Sequence, residues 1–182
     1  PLPARVGPDE ARARVRSLMN RLKPWPERRP DLPFDPQGWF QEGNQRLLRK
    51  LIRPDMAVLI EVGSWLGCSA RFMLDIAPQS YLIAIDTWKG SSEHHRDPQW
   101  AAKLPTLYEQ FLANCWDYRE RLLPYRHDSS TAFQHLRDKR ITADLIYIDG
   151  AHEEEQVKRD ILDALAYFPG AIVCGDDYLV CP

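Results

Sequence analysis

Val58-Leu59-Ile60-Glu61-Val62-Gly63-Ser64-Trp65-Leu66-Gly67-Cys68-Ser69 is the stretch on which the fold turns. A short, β-branched apolar run ends at a glycine, and a glycine-punctuated turn then enters a segment of helical pattern. Continuous apolar runs of this length suit strands covered on both faces, as in a parallel sheet. The pattern recurs downstream. Tyr81-Leu82-Ile83-Ala84-Ile85 ends at Asp86, Asp144 to Ile148 ends at Asp149-Gly150, and Ala171 to Cys174 ends at Gly175-Asp176-Asp177. A weaker strand covers Arg121 to Tyr125.

Helical stripes separate the strands. Leu107, Phe111, Leu112 and Cys115 form one, and Val157, Ile161, Leu162, Leu165 and Phe168 form a clearer one. Such stripes predict helices packed by those faces. Glu153, Glu154 and Glu155 crowd the start of the second, where the helix dipole favours negative charge. Alternating β and α segments predict an α/β fold with a doubly wound, mostly parallel sheet.

Toward the N-terminus the rhythm changes. Nine of the 15 prolines fall within residues 1–54. Residues 1–37 are expected to be an N-terminal helix followed by a Pro-rich extension, and residues 38–182 the α/β domain, its first helix running from about Gly38 to Ile52. Phe40, Leu47, Leu48 and Leu51 form the stripe of that helix.

The totals limit the function classes. A chain of 182 residues, 44% hydrophobic and 27% charged, is globular and of single-domain size. No apolar run approaches the roughly 20 residues of a membrane span. The net charge of −2 hides an asymmetry: residues 1–53 hold 12 Lys and Arg against 6 Asp and Glu, and the remainder holds 12 against 20. The basic third could be a nucleic-acid arm. Its arginines (Arg12, Arg14, Arg16, Arg21) are interrupted by Val15, Leu18 and Leu22 at helical spacing, which favours the solvated face of a packed helix. Cys68, Cys115, Cys174 and Cys181 form no CxxC pair, so reduced thiols and a cytoplasmic setting are expected.

In open α/β sheets ligands sit at the carboxyl ends of the strands. The turn after the first strand has two glycines, Gly63 and Gly67, and lacks the GxGxxG of a pyrophosphate cradle. Glycines there let backbone amides approach a ligand. The acidic Glu61, two residues before the first glycine, suits a ligand carrying a cationic amino group. Asp86, ending the second strand, is placed to accept hydrogen bonds from a ribose diol. The competing reading makes it a turn or cap residue.

At this point the residues resemble a known family. EVGSWLGCS, IDTWKGS, HDSS, DLIYIDGAHEEEQVKRDI and GAIVCGDDY, in this order over about residues 40–178, look like the motif series of class I S-adenosylmethionine-dependent methyltransferases. The branch they resemble carries the IDGAH signature and includes metal-dependent O-methyltransferases acting on sugars and macrolides. The resemblance implies roles residue by residue. Glu61 and the backbone from Gly63 through Ser64 to Gly67 would hold the methionine portion of the cofactor, with Ser69 nearby. Asp86 would bind the ribose hydroxyls, Thr87 and Trp88 would flank the adenine or ribose, and Asp128 and Ser129 would meet the adenine edge. Asp149, Asp176 and Asp177 look like ligands of a divalent metal, Mg2+ by its preference for oxygen. His152 resembles the general base, acting with Asp149. The implied acceptor is a hydroxyl of a small molecule or sugar.

The Trp88 to Trp100 stretch, rich in Ser, His and Trp, is the expected acceptor contact, and within it His94 and His95 are a tempting metal pair. Adjacent side chains on a regular element point in different directions, so a substrate-facing lid or solvent suits them better. The family's sheet carries two further strands after the fifth, and this sequence stops before them. A truncated chain, an unseen tail or a partner completing the edge would each account for it. An open edge would invite pairing with another chain, a homo-oligomer among the expected arrangements. The alternative is a non-catalytic S-adenosylmethionine-binding module or subunit. A nicotinamide-dependent oxidoreductase is opposed by the missing third glycine, and nucleic-acid methylation lacks a stacking motif or an arginine-rich run.

Overall fold

The computed structural model describes residues 6–150 and 153–176. Five strands, β1 (Val58–Val62), β2 (Tyr81–Asp86), β3 (Leu122–Arg126), β4 (Leu145–Ile148) and β5 (Ile172–Gly175), form one sheet of order β3-β2-β1-β4-β5. Every pairing is parallel. The strand order reverses between β1 and β4, which is where a doubly wound sheet opens a crevice for a ligand. The expected α/β class and all five expected strands are present.

The helices are α1 (Pro8–Leu22), α2 (Glu42–Leu51), α3 (Cys68–Ile76), the short α4 (Ser92–Arg96) and α5 (Pro98–Ala101), α6 (Leu107–Asn114), α7 (Ser129–Asp138) and α8 (Glu154–Tyr167). Alternate residues of the strands feed two cores. On one face Val58, Ile60, Ile83 and Ile146 pack with α1, α7 and α8; on the other Leu59, Leu82, Leu145 and Tyr147 pack with α2, α3 and α6. Strands β1 to β4 are buried along nearly their whole length, as their apolar runs require. Among the described residues no helix is long and apolar enough to cross a membrane.

The N-terminal segment belongs to this body. Val15 and Leu18 of α1 are buried, Arg12 Nε donates to the Gln79 carbonyl at 2.8 Å, and Arg16 Nε donates to Tyr81 Oη at 2.8 Å. The arginine side chains thus tie α1 to the sheet instead of forming a free basic arm. Asp144 does similar work at the foot of β1, its Oδ2 accepting from the amides of Ala57 and Val58.

Two helical expectations need correction. The helix expected from Gly38 begins only at Glu42; residues 38–41 lie outside any helix or strand, and Trp39 lines a cleft at the carboxyl ends of the strands. The stripe expected to bury α8 holds at Phe168, which is buried, but its middle is turned outward: Ile161, Leu162 and Leu165 are 39%, 56% and 55% exposed, while Asp160 and Ala164 are buried. The cause is polar. Asp160 Oδ1 accepts from Ser129 Oγ at 2.5 Å and from Gln156 Nε2 at 2.8 Å, and this rotates α8 so that a carboxylate faces α7.

Candidate active site

At the carboxyl ends of the strands lies a cleft of about 1140 Å³. Gly63, Ser64 and Ser69 line it from the β1–α3 side, Asp86 and Thr87 from the end of β2, Asp128 and Ser129 from the start of α7, and Asp149 and Asp176 from the ends of β4 and β5. The sheet brings these residues together because each follows a neighbouring strand. Ile148 pairs with Gly175, so Asp149 and Asp176 leave adjacent strands at the same level. His152 and Asp177 lie outside the described residues.

Glu61 sits beneath the cleft in the middle of the sheet. Its side chain points to the face covered by α3, and Ser69 Oγ, in the first turn of α3, donates to Oε1 at 2.5 Å. The residue is fully buried, and Oε2 has no hydrogen-bond partner among the described residues; neither has the buried Ser64 Oγ. Burial pushes the Glu61 carboxyl up to about 7; the Ser64 and Ser69 hydroxyls oppose the rise, and the nearby Asp86 carboxylate adds to it. The Ser64 hydroxyl is near enough to temper the carboxyl but completes no full hydrogen bond, so Glu61 Oε2 keeps acceptor capacity for a ligand.

Asp86 is both a cleft residue and a clamp. Its Oδ2 accepts from the amides of Ser64 (3.0 Å) and Trp65 (2.9 Å), and its Oδ1 from the amide of Trp88 (2.7 Å). Burial raises its pKa against these three donors. The turn reading and the ligand reading therefore coexist, because Oδ1 retains a second lone pair.

The glycines are also required by packing. A Cβ on Gly63, at φ +86°, would lie 2.1 Å from the Asp149 carbonyl oxygen, and one on Gly67, at φ +80°, would lie 2.2 Å from Cys115 Sγ. Backbone and α6 crowd these positions, not an open ligand space. The turn's amides are also spent internally: Gly63 donates to Ile85, Ser64 and Trp65 to Asp86, and Gly67 to Ser64. The turn therefore has few donors left for a ligand, as a cationic group would prefer.

Trp88 does not flank the cleft. It is 2% exposed, its ring lies against Tyr108 and Phe111, and its indole N–H donates to the Trp65 carbonyl at 2.9 Å. Its contribution is to brace Trp65. Asp128 caps α7 by accepting from the Thr131 amide at 2.9 Å, and that bond lowers its pKa. Asp176 accepts from Asn44 Nδ2 of α2 at 2.5 Å, and Tyr147 Oη donates to Asp149 Oδ2 at 3.4 Å. Asn44 carries no sequence signal; only the fold brings it to β5.

Four aromatic rings from three segments gather at the cleft: Trp39, Trp65, His94 and Trp100. His94 stacks on Trp65 at 4.4 Å with an 18° interplanar angle, and Trp39 lies 5.0 Å from Trp100 and 5.5 Å from Trp65. His94 also caps α4 with Ser91, while His95 is exposed, so the two histidines do point apart. The left-handed backbone of Trp65, φ 45°, presents its ring to this group.

Residues 60–178 match the model of a methyltransferase domain. The chain belongs to the methyltransferase-domain family. No curated protein matches it significantly. Among solved structures it is similar to the O-methyltransferase TomG from Streptomyces achromogenes, involved in tomaymycin synthesis and solved with SAM, at 17% identity over 98% of this chain and 69% of that one, TM-score 0.55. It is also similar to an O-methyltransferase from Bacillus cereus solved with SAH, at 15% identity over 96% of this chain and 67% of that one, TM-score 0.52. A third structure, from Staphylococcus aureus, shares 16% identity over 91% of this chain, TM-score 0.54, and this chain covers 65% of its length. The methyltransferase chain thus spans about two-thirds of the length of the structures it resembles, and at these identities the likeness concerns the fold. Among the described residues no three His, Cys, Asp or Glu side chains form a metal-holding group.

Proposed function

We propose that this chain transfers a methyl group from S-adenosylmethionine to a hydroxyl of a small molecule, with a divalent metal, magnesium, beside the acceptor. The observation that carries the reading is the buried Glu61, with Oε2 unpartnered, under a cleft lined by Asp86, Asp149 and Asp176. An acceptor-rich, acidic site suits a cofactor with an ammonium and a sulfonium charge. The methyltransferase family and the SAH and SAM complexes of TomG and the Bacillus cereus enzyme support the same cofactor.

Bound in the cleft, the cofactor supplies an electrophilic methyl group. Glu61 and the Gly63–Gly67 turn serve its amino-acid end, with Ser69 fixing the Glu61 carboxyl. Asp86 Oδ1 offers its remaining lone pair to a ribose hydroxyl, Thr87 stands beside it, and Asp128 and Ser129 serve the adenine edge. Asp149 and Asp176 are hard oxygen donors on adjacent strands, a chemistry that fits Mg2+. They and Asp177 would hold the metal, which would supply Lewis acidity at the acceptor oxygen. Tyr147 and Asn44 orient the two described carboxylates. His152 takes the acceptor's proton, a role suited to an imidazole.

Calorimetric titration with S-adenosylhomocysteine, with and without Mg2+, tests the proposal. One-site saturable binding is expected. A folded sample that binds none would overturn the cofactor assignment, and equal transfer in chelator and in Mg2+ would overturn the metal's part.

A further inference from the structure

The aromatic group at the cleft is not used by the cofactor residues above, and its surroundings carry information about the acceptor. Trp39 remains 48% exposed although its ring touches Trp65, His94 and Trp100. The rings are held from separate directions. Gln37 accepts from the Trp65 indole N–H, Trp88 donates to the Trp65 carbonyl, and Ser91 fixes the His94 ring through Nδ1 at 2.9 Å. A pre-arranged set of indole faces open to a cleft binds flat rings by stacking and cations by the ring quadrupole, Trp being the strongest partner for the latter.

Charge narrows the choice. Among the described residues eight carboxyl side chains line the cleft, against Arg159 as its one Lys or Arg. Two of the eight, Glu93 and Asp97, belong to the same short segment as His94 and Trp100. A phosphate or carboxylate entering beside them would be repelled, and an ammonium would be attracted. A bound cofactor and metal would reduce the negative field near Glu61 and Asp149 but leave Glu93 and Asp97 facing the acceptor side.

We infer that Trp39, Trp65, His94 and Trp100 form the acceptor subsite, and that it takes a ring-bearing acceptor carrying an amino group in preference to one carrying phosphate or carboxylate. This rests on the methyltransferase reading for the word acceptor, but not for the binding it describes. Trp39 supplies the open stacking face, Trp100 and the His94–Trp65 stack its support, and Glu93 with Asp97 the charge selection.

Three phenols matched in size and differing in charge test it: tyramine, 4-ethylphenol and 4-hydroxyphenylacetate. Each is titrated calorimetrically into the full chain, both alone and saturated with S-adenosylhomocysteine. Tyramine should bind at least about 5-fold more tightly than 4-hydroxyphenylacetate, with 4-ethylphenol between them. Trp39→Ala should weaken tyramine at least about 5-fold while the thermal melt is retained, because the residue is half out of the core. Glu93→Gln with Asp97→Asn should bring the three affinities together without removing 4-ethylphenol binding. Equal or tighter binding of the anion, no tyramine binding, or unchanged tyramine affinity in both Trp39→Ala and Trp100→Ala would overturn the inference. Failure of S-adenosylhomocysteine to bind would strike the methyltransferase reading alone, since the titrations on the unloaded chain still report the charge order.

Discussion

Replacing Glu61 by glutamine should make the unliganded protein more stable at pH 8 while impairing its binding site. The carboxyl is fully buried and its pKa is pushed from an ordinary 4.5 to about 7, mainly by loss of water. Each tenfold change in proton affinity is worth about 1.4 kcal/mol, so the rise corresponds to about 3 kcal/mol. The sign follows from linkage. The folded state binds this proton more tightly than the unfolded state, so the contribution is fully present below about pH 4.5 and lost as pH climbs through about 7. Above that range the native state holds a buried charge whose Oε2 has no partner. Glutamine carries no charge and can still accept from Ser69 Oγ, so its stability has no such dependence. Urea unfolding of both proteins at pH 4.5, 6, 7 and 8 measures the difference, in which other titrating groups cancel. The variant's advantage should grow by about 3 kcal/mol between the ends of that series, and S-adenosylhomocysteine affinity should fall. A pH-independent difference would refute the argument that Glu61 is held against its ionisation.

Three other substitutions probe the rest of the site. Asp86→Ala strands the amides of Ser64, Trp65 and Trp88, and should cost about 1–3 kcal/mol in thermal unfolding as well as weakening S-adenosylhomocysteine in calorimetry; unchanged values in both would remove Asp86 from clamp and site alike. Gly63→Ala places a methyl 2.1 Å from the Asp149 carbonyl at a left-handed φ, so loss of ligand binding and a destabilisation of several kcal/mol are expected, checked by urea denaturation. Asp149→Asn should spare S-adenosylhomocysteine affinity and abolish any Mg2+ stimulation of methyl transfer, measured with and without chelator.

Strand boundaries were legible because the apolar runs of β1 to β4 are buried on two faces and leave little choice of register or depth. The carboxyl-end residues were legible for the same reason, since a polar residue closing such a run has to emerge at the ligand side. Orientation within elements was harder to read. The apolar stripe of α8 pointed to Ile161 and Leu165, but Asp160, bonded to Ser129 and Gln156, outweighs it. A hydrogen bond across 31 residues has no periodicity to announce it. Gly63 and Gly67 were recognisable as constrained, yet the cause lies in Asp149 and Cys115, which only folding brings alongside. The aromatic group was legible only in part: the Trp88 to Trp100 stretch pointed to the acceptor, but Trp39 and Trp65 join it from two other segments, and Trp65 does so through a backbone conformation no sequence rule assigns to tryptophan.

The contact between Gly63 and the Asp149–Gly150 backbone has a thermodynamic consequence. The turn beneath the cofactor end of the cleft and the turn bearing the β4 carboxylate touch main chain to main chain, with no side chain between them to absorb a shift. A displacement of one turn has to be matched by the other. Under the proposed function, occupancy at the two ends would be linked, and linkage is reciprocal: whatever factor a divalent ion applied to nucleoside affinity, the nucleoside would apply to the affinity for the ion.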